Sequence, residues 1–395
     1  MTIKTYTYIF IVSSCIVTII LATINYTVDP YQLFQTKRIA GFNDKKPAAA
    51  NRSRLYKPYN LTNINPKTII VGNSRPEVGL DPKSSCWPEN TGTVYNLTFP
   101  GLGFYGQVRA LFHAVHAAKV ENIVLAVDFI DFLYKRKRVN KIVWQERDSQ
   151  FYKRLQLDAQ GRKNKRFLLQ KSQDFATAMF SLDALNDSIY TVLNQKENSV
   201  DRTILGFNLA KDYQQIIRYE GAWVLFEQKT GDLEKRFLKQ GMKLYDTQSW
   251  SLELEAVKRV IKMAVSKNIQ LTLFINPYHY SYLEIIHNAG QWQKFEQFKS
   301  SLKEAVDKFG EGKVNLWDFA IYSEYTVSPI PKLGKEQIEH NFFWEPAHYK
   351  KELEQRENVA KKYKLPIIAL GLGEKEDDLQ VFDAEKFSNA FIETN

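Results

Sequence analysis

The chain has 395 residues, of which 44% are apolar and 25% charged, with 18 Gly, 13 Pro and two Cys. These values exclude a mostly disordered or collagen-like chain, a disulfide-rich scaffold and a cysteine-based zinc site. A net charge of +10 admits nucleic acid, an anionic membrane surface or an anionic polymer as a neighbour. No homeodomain, zinc-finger or RRM pattern accompanies it, so no nucleic-acid partner is expected.

Residues Tyr6 to Val28 carry no charge. The run is long enough for one membrane-spanning helix, which needs about 20 apolar residues. Thr23-Ile24-Asn25 is a poor signal-peptidase site, so an uncleaved anchor over 1–28 is expected. Lys4 precedes it and Lys37, Arg38, Lys45 and Lys46 follow. That count does not favour a cytoplasmic N-terminus, yet long domains cross regardless of charge, and charge leaves the side open. Cys15 lies in the anchor and Cys86 beyond it, so the soluble part has no internal disulfide.

Residues 29–65 are polar and turn-rich and read as a linker or a surface strap. An α/β domain is expected over 66–360. Its strands are Thr68–Val71, Val94–Phe99, Asn122–Val127, Ile269–Ile275 and Val314–Trp317. Helical spacing covers Tyr105–Lys119, Leu252–Ser266 and Trp292–Phe309. Alternation of this kind predicts a mostly parallel sheet with right-handed crossovers. A long helical insertion is expected over about 134–250. Its basic residues are densest at Lys135–Arg138 and Arg162–Arg166. They read as a solvated face or as a contact with anionic lipid or glycan. A loop through Trp344–Tyr349 and a short helix close the domain. The tail, 361–395, contains a strand-like Pro366–Leu370 and an acidic stretch, Glu374–Asp378, and has no assigned structure.

Ligands of open parallel sheets bind beyond the strand carboxyl ends. There this sequence places Asn73, Ser74 and Arg75, then Gly101, Asp128 with Asp131 close by, Asn276, His279 and Asp318. Glu345 and His348 come later. A serine nucleophile needs a base within hydrogen-bond reach and an orienting group behind the base. His348 and Glu345, three residues apart on a turn, suit both roles for Ser74, and Gly101 permits the close backbone approach of an oxyanion donor. Taken singly, Ser74 is an ordinary helix cap, Gly101 a turn and His348 a helix-start residue; Asp128 and Asp318 could cap helices, and Asn276-Pro277 is a common strand exit. Trp223, Trp292, Trp344, Tyr278 and Tyr280 are candidates for stacking on sugars or for core packing. The six histidines show no HExxH or similar spacing, and no metal or other cofactor is expected.

The succession Gly72-Asn73-Ser74-Arg75, Tyr95-Asn96-Leu97 with Pro100-Gly101, and Glu345-Pro346-Ala347-His348-Tyr349 resembles the SGNH (GDSL-like) hydrolase superfamily. It is most similar to the membrane-anchored envelope branch near the alginate O-acetylation and teichoic-acid D-alanylation proteins. Asn25–Tyr31 also resembles the start of those bacterial proteins, and the resemblance covers about Asn25 to Leu353. It implies a flavodoxin-like three-layer fold. It implies Ser74 as nucleophile, His348 as base, Glu345 as third triad member, and the Ser74 and Gly101 amides as oxyanion hole. Asn73, Arg75, Asp128, Asn276, His279 and Asp318 would be candidates for substrate binding. The implied activity is that of a serine esterase or O-acyltransferase on a cell-envelope glycan. A membrane-bound O-acyltransferase is a candidate partner, and the domain would lie outside the bacterial cytoplasmic membrane. Three positions depart from the family pattern. Glu345 stands where Asp is usual, Asn73 where Asp is usual, and Asp128 where an oxyanion Asn is usual. The alternative expectation is a non-catalytic protein of this fold that binds glycan or partners in an acylation or export complex.

Overall fold

A computed structural model of the chain describes residues 2–88, 91–134, 149–196, 202–239, 241–245, 251–333, 342–351 and 353, with the backbone of strands 367–371 and 379–382. Helix α1 (Ile3–Val28) leads through a 3-10 turn (Pro47–Arg52) into α2 (Ser53–Ile64). Next come β1 (Thr68–Val71), α3 (Ser74–Gly79), β2 (Val94–Asn96), α4 (Phe104–Ala117), β3 (Asn122–Val127) and a short α5 (Phe129–Phe132). Helices α6 (Ser149–Lys153), α7 (Phe167–Phe180), α8 (Leu182–Leu193), α9 (Lys211–Tyr219), α10 (Ala222–Phe237) and α11 (Leu252–Ser266) follow. The chain then forms β4 (Gln270–Ile275), α12 (Tyr280–Asn288), α13 (Trp292–Phe309) and β5 (Val314–Asp318). It continues into a hairpin of β6 (Phe343–Glu345) and β7 (His348–Tyr349), and then into β8 (Ile367–Gly371) and β9 (Leu379–Phe382). The contacts divide it into two units, 1–63 with 146–204, and 64–145 with 205–395.

The first unit is helical. Helix α1 has 26 residues, about 39 Å at the α-helical rise, which exceeds the roughly 30 Å of a bilayer core. Its hydroxyls turn inward to its own backbone: Thr18 donates to the Ser14 carbonyl at 2.8 Å and Thr23 to that of Ile19 at 2.7 Å. The helix therefore offers lipid an apolar surface despite its Thr and Ser content. Residues 29–65, read from sequence as a linker or strap, are folded. Pro58 lies inside α2. Tyr31, Leu33, Tyr56 and Tyr59 share a core with Ala178 and Ala184 of α7 and α8. Asp174 holds that core from within, accepting from Tyr59 at 2.7 Å and from Arg154 at 2.7 and 3.0 Å. The expected helical insertion is thus shared, 149–196 with the first unit and 205–245 with the second. Its 135–148 stretch, with Lys135–Arg138, lies outside the described residues.

The second unit is α/β, built on a five-stranded all-parallel sheet in the order β2-β1-β3-β4-β5. β1 is buried throughout, and β3 and β4 are buried after their first residue, as continuous apolar runs covered on both faces should be. The chain moves from β1 outward to β2, then back across β1 to β3, and onward to β4 and β5. Right-handed crossovers consequently put α3 on one face and α4, α11 and α13 on the other. The order reverses between β1 and β3, the switch point beyond whose carboxyl ends ligands of such sheets bind. The end of β5 is three strands from β1, about 14 Å away.

Two local expectations change. β2 ends at Asn96, short of the expected Phe99, and the Asn96 side chain donates to the carbonyls of Pro76 and Leu80 at 2.9 and 3.0 Å. Around Trp344–Tyr349 the chain makes the β6–β7 hairpin, with Glu345 paired opposite His348. In the tail β8 covers most of the strand-like run and pairs antiparallel with β9; the acidic stretch 374–378 lies outside the described residues.

Candidate active site

Ser74 owes its position to a tight exit from β1. A Cβ at Gly72 would stand 2.6 Å from Pro76 Cγ and 3.0 Å from the Ala126 Cβ. Glycine therefore lets α3 fold back directly against β3. Asn73 caps α3, its side-chain oxygen accepting from the Arg75 amide at 3.0 Å. Ser74 then opens the helix, half-buried, beyond the sheet edge.

His348 arrives on the hairpin. Pro346 fixes the turn between Glu345 and His348, and the Ala347 amide donates to Glu345 Oε2 at 2.8 Å. His348 Nδ1 bonds the other carboxylate oxygen, Oε1. Nδ1–H donates there, so the Nε2 lone pair faces outward and accepts from Ser74 Oγ at 2.7 Å. Two contacts fix the hairpin to the sheet: the His279 amide donates to the Pro346 carbonyl at 3.1 Å, and the Tyr349 hydroxyl reaches Asn276 Oδ1 at 3.4 Å. A third joins it to the serine helix. The Tyr349 ring lies so close to Gly79 that a Cβ there would stand 1.9 Å from its Cε2.

Charge around the pair sets its protonation. Burial opposes charge on Glu345, but His348, Lys229 at 3.6 Å and the Ala347 amide overcome it and hold the carboxyl below its usual range. Burial pushes the His348 imidazole down; Glu345 pulls it up, while Lys229 and Arg75 push it down, and it ends below its ordinary value. His348 is therefore neutral at pH 7. Tyr213 of α9 stands beside it, its hydroxyl 3.4 Å from Nδ1 and its ring stacked on Trp344 at 5.8 Å.

Asp128, at the end of β3, belongs to a buried network under the serine. It pairs with Arg75 Nη1, accepts from Asn73 Nδ2 at 3.0 Å and from the Tyr278 hydroxyl at 2.6 Å. Arg75 is buried, and its charge is held on. Burial pushes its guanidinium down, but Asp128, Tyr282, Tyr278 and Asp131 overcome that and raise it above its ordinary value. Arg75 Nη2 also donates to Tyr282 at 3.3 Å, and the guanidinium lies over the Tyr278 and Tyr282 rings at 5.5 and 5.6 Å. Asp131 accepts from Gln107 at 2.9 Å and Asn73 at 3.3 Å. Burial, then the neighbouring Asp128, pushes its carboxyl up to about 7. Asn73, Arg75 and Asp128 thus brace the serine loop from below.

The remaining candidates separate. Gly101 follows the end of β2, exposed, at φ +64 with open space around it. The Phe99 amide donates to the Gly72 carbonyl at 3.1 Å and ties this turn to the serine loop. Asn276 is buried and donates to the Val127 carbonyl at 3.0 Å. His279 is buried, bonded through Nδ1 to Ser281 at 2.8 Å and through Nε2 to the Ser328 carbonyl at 2.9 Å. Asp318 is buried at the end of β5, paired with Lys299 at 2.7 Å. Asn276 and His279 hold the hairpin, and Asp318 lies strands away from Ser74. Of the sugar-stacking candidates, Tyr278 is fully buried and Trp344 is adjacent to the triad. Tyr213, Lys229 and Gln107 join the site from helices whose spacing carries no signal for them. Among the described residues, no group of three or more His, Cys, Asp or Glu is placed to hold a metal ion. No family model and no curated protein sequence matches the chain.

Proposed function

We propose that the protein is a serine esterase or O-acyltransferase of SGNH-hydrolase type, working through an acyl-enzyme on Ser74. The observation that carries this reading is the continuous chain from Ser74 Oγ through His348 Nε2, at 2.7 Å, to Glu345 behind Nδ1. The sheet order β2-β1-β3-β4-β5, with the triad at the carboxyl end of β1, supports the flavodoxin-like assignment.

In the first step Ser74 Oγ attacks an acyl carbonyl carbon while His348 Nε2 takes the hydroxyl proton. Glu345 stabilises the imidazolium that forms. The Ser74 and Gly101 amides are the proposed donors to the oxyanion. Collapse breaks the ester bond, His348 returns the proton to the leaving oxygen, and the acyl group remains on Ser74. Water then gives hydrolysis, and a sugar hydroxyl gives transfer, by the same steps in reverse. Asp128 has no place in the oxyanion hole of this scheme, because Arg75, Asn73 and Tyr278 already occupy its carboxylate. An envelope glycan as substrate, a membrane-bound O-acyltransferase as partner and a location outside the bacterial cytoplasmic membrane rest on the resemblance and on α1.

The test is acyl-enzyme trapping. Full-length protein is mixed with p-nitrophenyl acetate, quenched in acid and digested. An acetyl group on the peptide bearing Ser74, absent from Ser74→Ala, is expected. Turnover without acetyl on that peptide, and undiminished in Ser74→Ala, would overturn the reading.

A further inference from the structure

The first unit has an apolar surface outside α1. On α8, Leu182, Ile189 and Leu193 are 72%, 51% and 75% exposed. Spaced i, i+7 and i+11, they form one stripe. Ala184, Ser188 and Thr191 face the other way and are buried. Phe180, at the end of α7, is 52% exposed. Asp183 and Asn186 share the exposed side, so α8 presents an apolar stripe edged by polar residues.

The position of this stripe identifies its neighbour. Asn25, near the end of α1, donates to the carbonyls of Met179 at 3.0 Å and Ser181 at 3.3 Å and accepts from Ser188 at 2.9 Å. The buried side of α8 is thus bonded to the last turns of α1. Tyr6 and Tyr26 stand near the two ends of the apolar run, about 30 Å apart along the helix axis, which matches a bilayer core with aromatic residues at both interfaces. Asn25 therefore lies at a headgroup level, and the side chains around it share that depth. On another side of α1, Asn43 bonds the Thr27 carbonyl at 2.9 Å and the Lys37 carbonyl at 3.2 Å, bringing exposed Lys37 and Ile39 to the same level. An apolar stripe and a lysine at one depth suit the boundary between acyl chains and anionic headgroups.

We propose that α8, with Phe180 and Ile39, forms an interfacial collar that lies in the surface of the bilayer spanned by α1. The proposal rests on α1 crossing that bilayer and is independent of the chemistry at Ser74. Lipid is the occupant because the stripe begins where the spanning helix leaves the hydrocarbon.

The experiment uses full-length protein with Cys15→Ser and Cys86→Ser, reconstituted in phosphatidylcholine–phosphatidylglycerol vesicles. Bimane is attached at Leu182→Cys, Ile189→Cys or Leu193→Cys, and at Ile9→Cys as the probe of α1. Expected are quenching of the three α8 labels by lipid carrying a nitroxide near the carbonyl end of its acyl chain, and protection from aqueous iodide. An Ile189→Trp variant gives a label-free check, with blue-shifted emission expected in vesicles. Iodide-accessible α8 labels that lipid nitroxide leaves unquenched, with Ile9→Cys quenched, would overturn the collar while leaving α1 in the membrane. That outcome would point to a protein as the natural cover. An unquenched Ile9→Cys label would remove the premise itself.

Discussion

At the scale of single residues, the site is a set of buried charges with fixed partners, and pH reports on them. His348 must be neutral to accept the Ser74 proton, and its conjugate acid lies below the ordinary 6.5. Acylation should therefore rise with pH to a plateau, with its midpoint below 6.5, read as the rate of serine labelling against pH. Glu345→Gln keeps an acceptor for Nδ1–H but removes the charge that stabilises the imidazolium. A loss of about 10²-fold or more in acylation rate is expected; the new NH2 also faces the Ala347 amide that Glu345 Oε2 accepts from, so the unfolding temperature should fall as well. Asp131 carries the opposite sign. The folded state holds its proton up to about 7, against 3.8 for the free side chain. Its contribution to stability is present below 3.8 and lost as pH rises through about 7. Asp131→Asn should gain in unfolding temperature relative to the parent as pH rises from about 4 to about 7, and keep that gain above it. Glu345 and His348, both shifted down, favour folding as pH rises, and they cancel in that comparison because both proteins contain them. Arg75→Met would leave Asp128 buried without its cation. Such a change costs about 3–5 kcal/mol and should appear as a lowered denaturant midpoint.

At the scale of elements, the hydrogen-bonded chain of Ser74, His348 and Glu345 joins two pieces distant in sequence, α3 and the β6–β7 hairpin. Their meeting place is Gly79 against Tyr349, where no side chain fits. Gly79→Ala should push Tyr349 and the adjoining His348 away from Ser74. Overpacking of this kind costs about 1–3 kcal/mol, and labelling of Ser74 should fall more than stability alone would explain, measured well below the unfolding temperature. The strands of the sheet were legible because runs such as Thr68–Val71 and Asn122–Val127 are buried on both faces. The hairpin was not. Trp344–Tyr349 is too short to show a period, and its shape is set by Pro346 and by bonds to His279 and Asn276 from β4 and α12. The order of Ser74, Glu345 and His348 was nonetheless readable, since three-residue spacing reaches from carboxylate to imidazole across a turn as well as on a helix.

At the scale of the whole molecule, the sequence showed one apolar run long enough to cross a membrane and an α/β domain, but missed that 29–63 and 146–204 fold with that run as a helical unit. Residues 29–65 read as a linker because their apolar side chains are scattered among polar ones and prolines without a helical or strand period. Their partners, Ala178 and Ala184, come more than a hundred residues later, so no local pattern exposes that core. Removal of residues 2–24 should release the chain from carbonate-resistant membranes while keeping Asn25 and its bonds to Met179 and Ser181. Retention in the carbonate-washed pellet would contradict α1 as the anchor. The most direct test of the activated serine is fluorophosphonate labelling of the full-length protein beside Ser74→Ala and His348→Ala. Labelling of the parent, abolished in Ser74→Ala and strongly reduced in His348→Ala, is expected. A well-folded parent that takes no label, or a Ser74→Ala variant that labels equally, would contradict a nucleophilic Ser74.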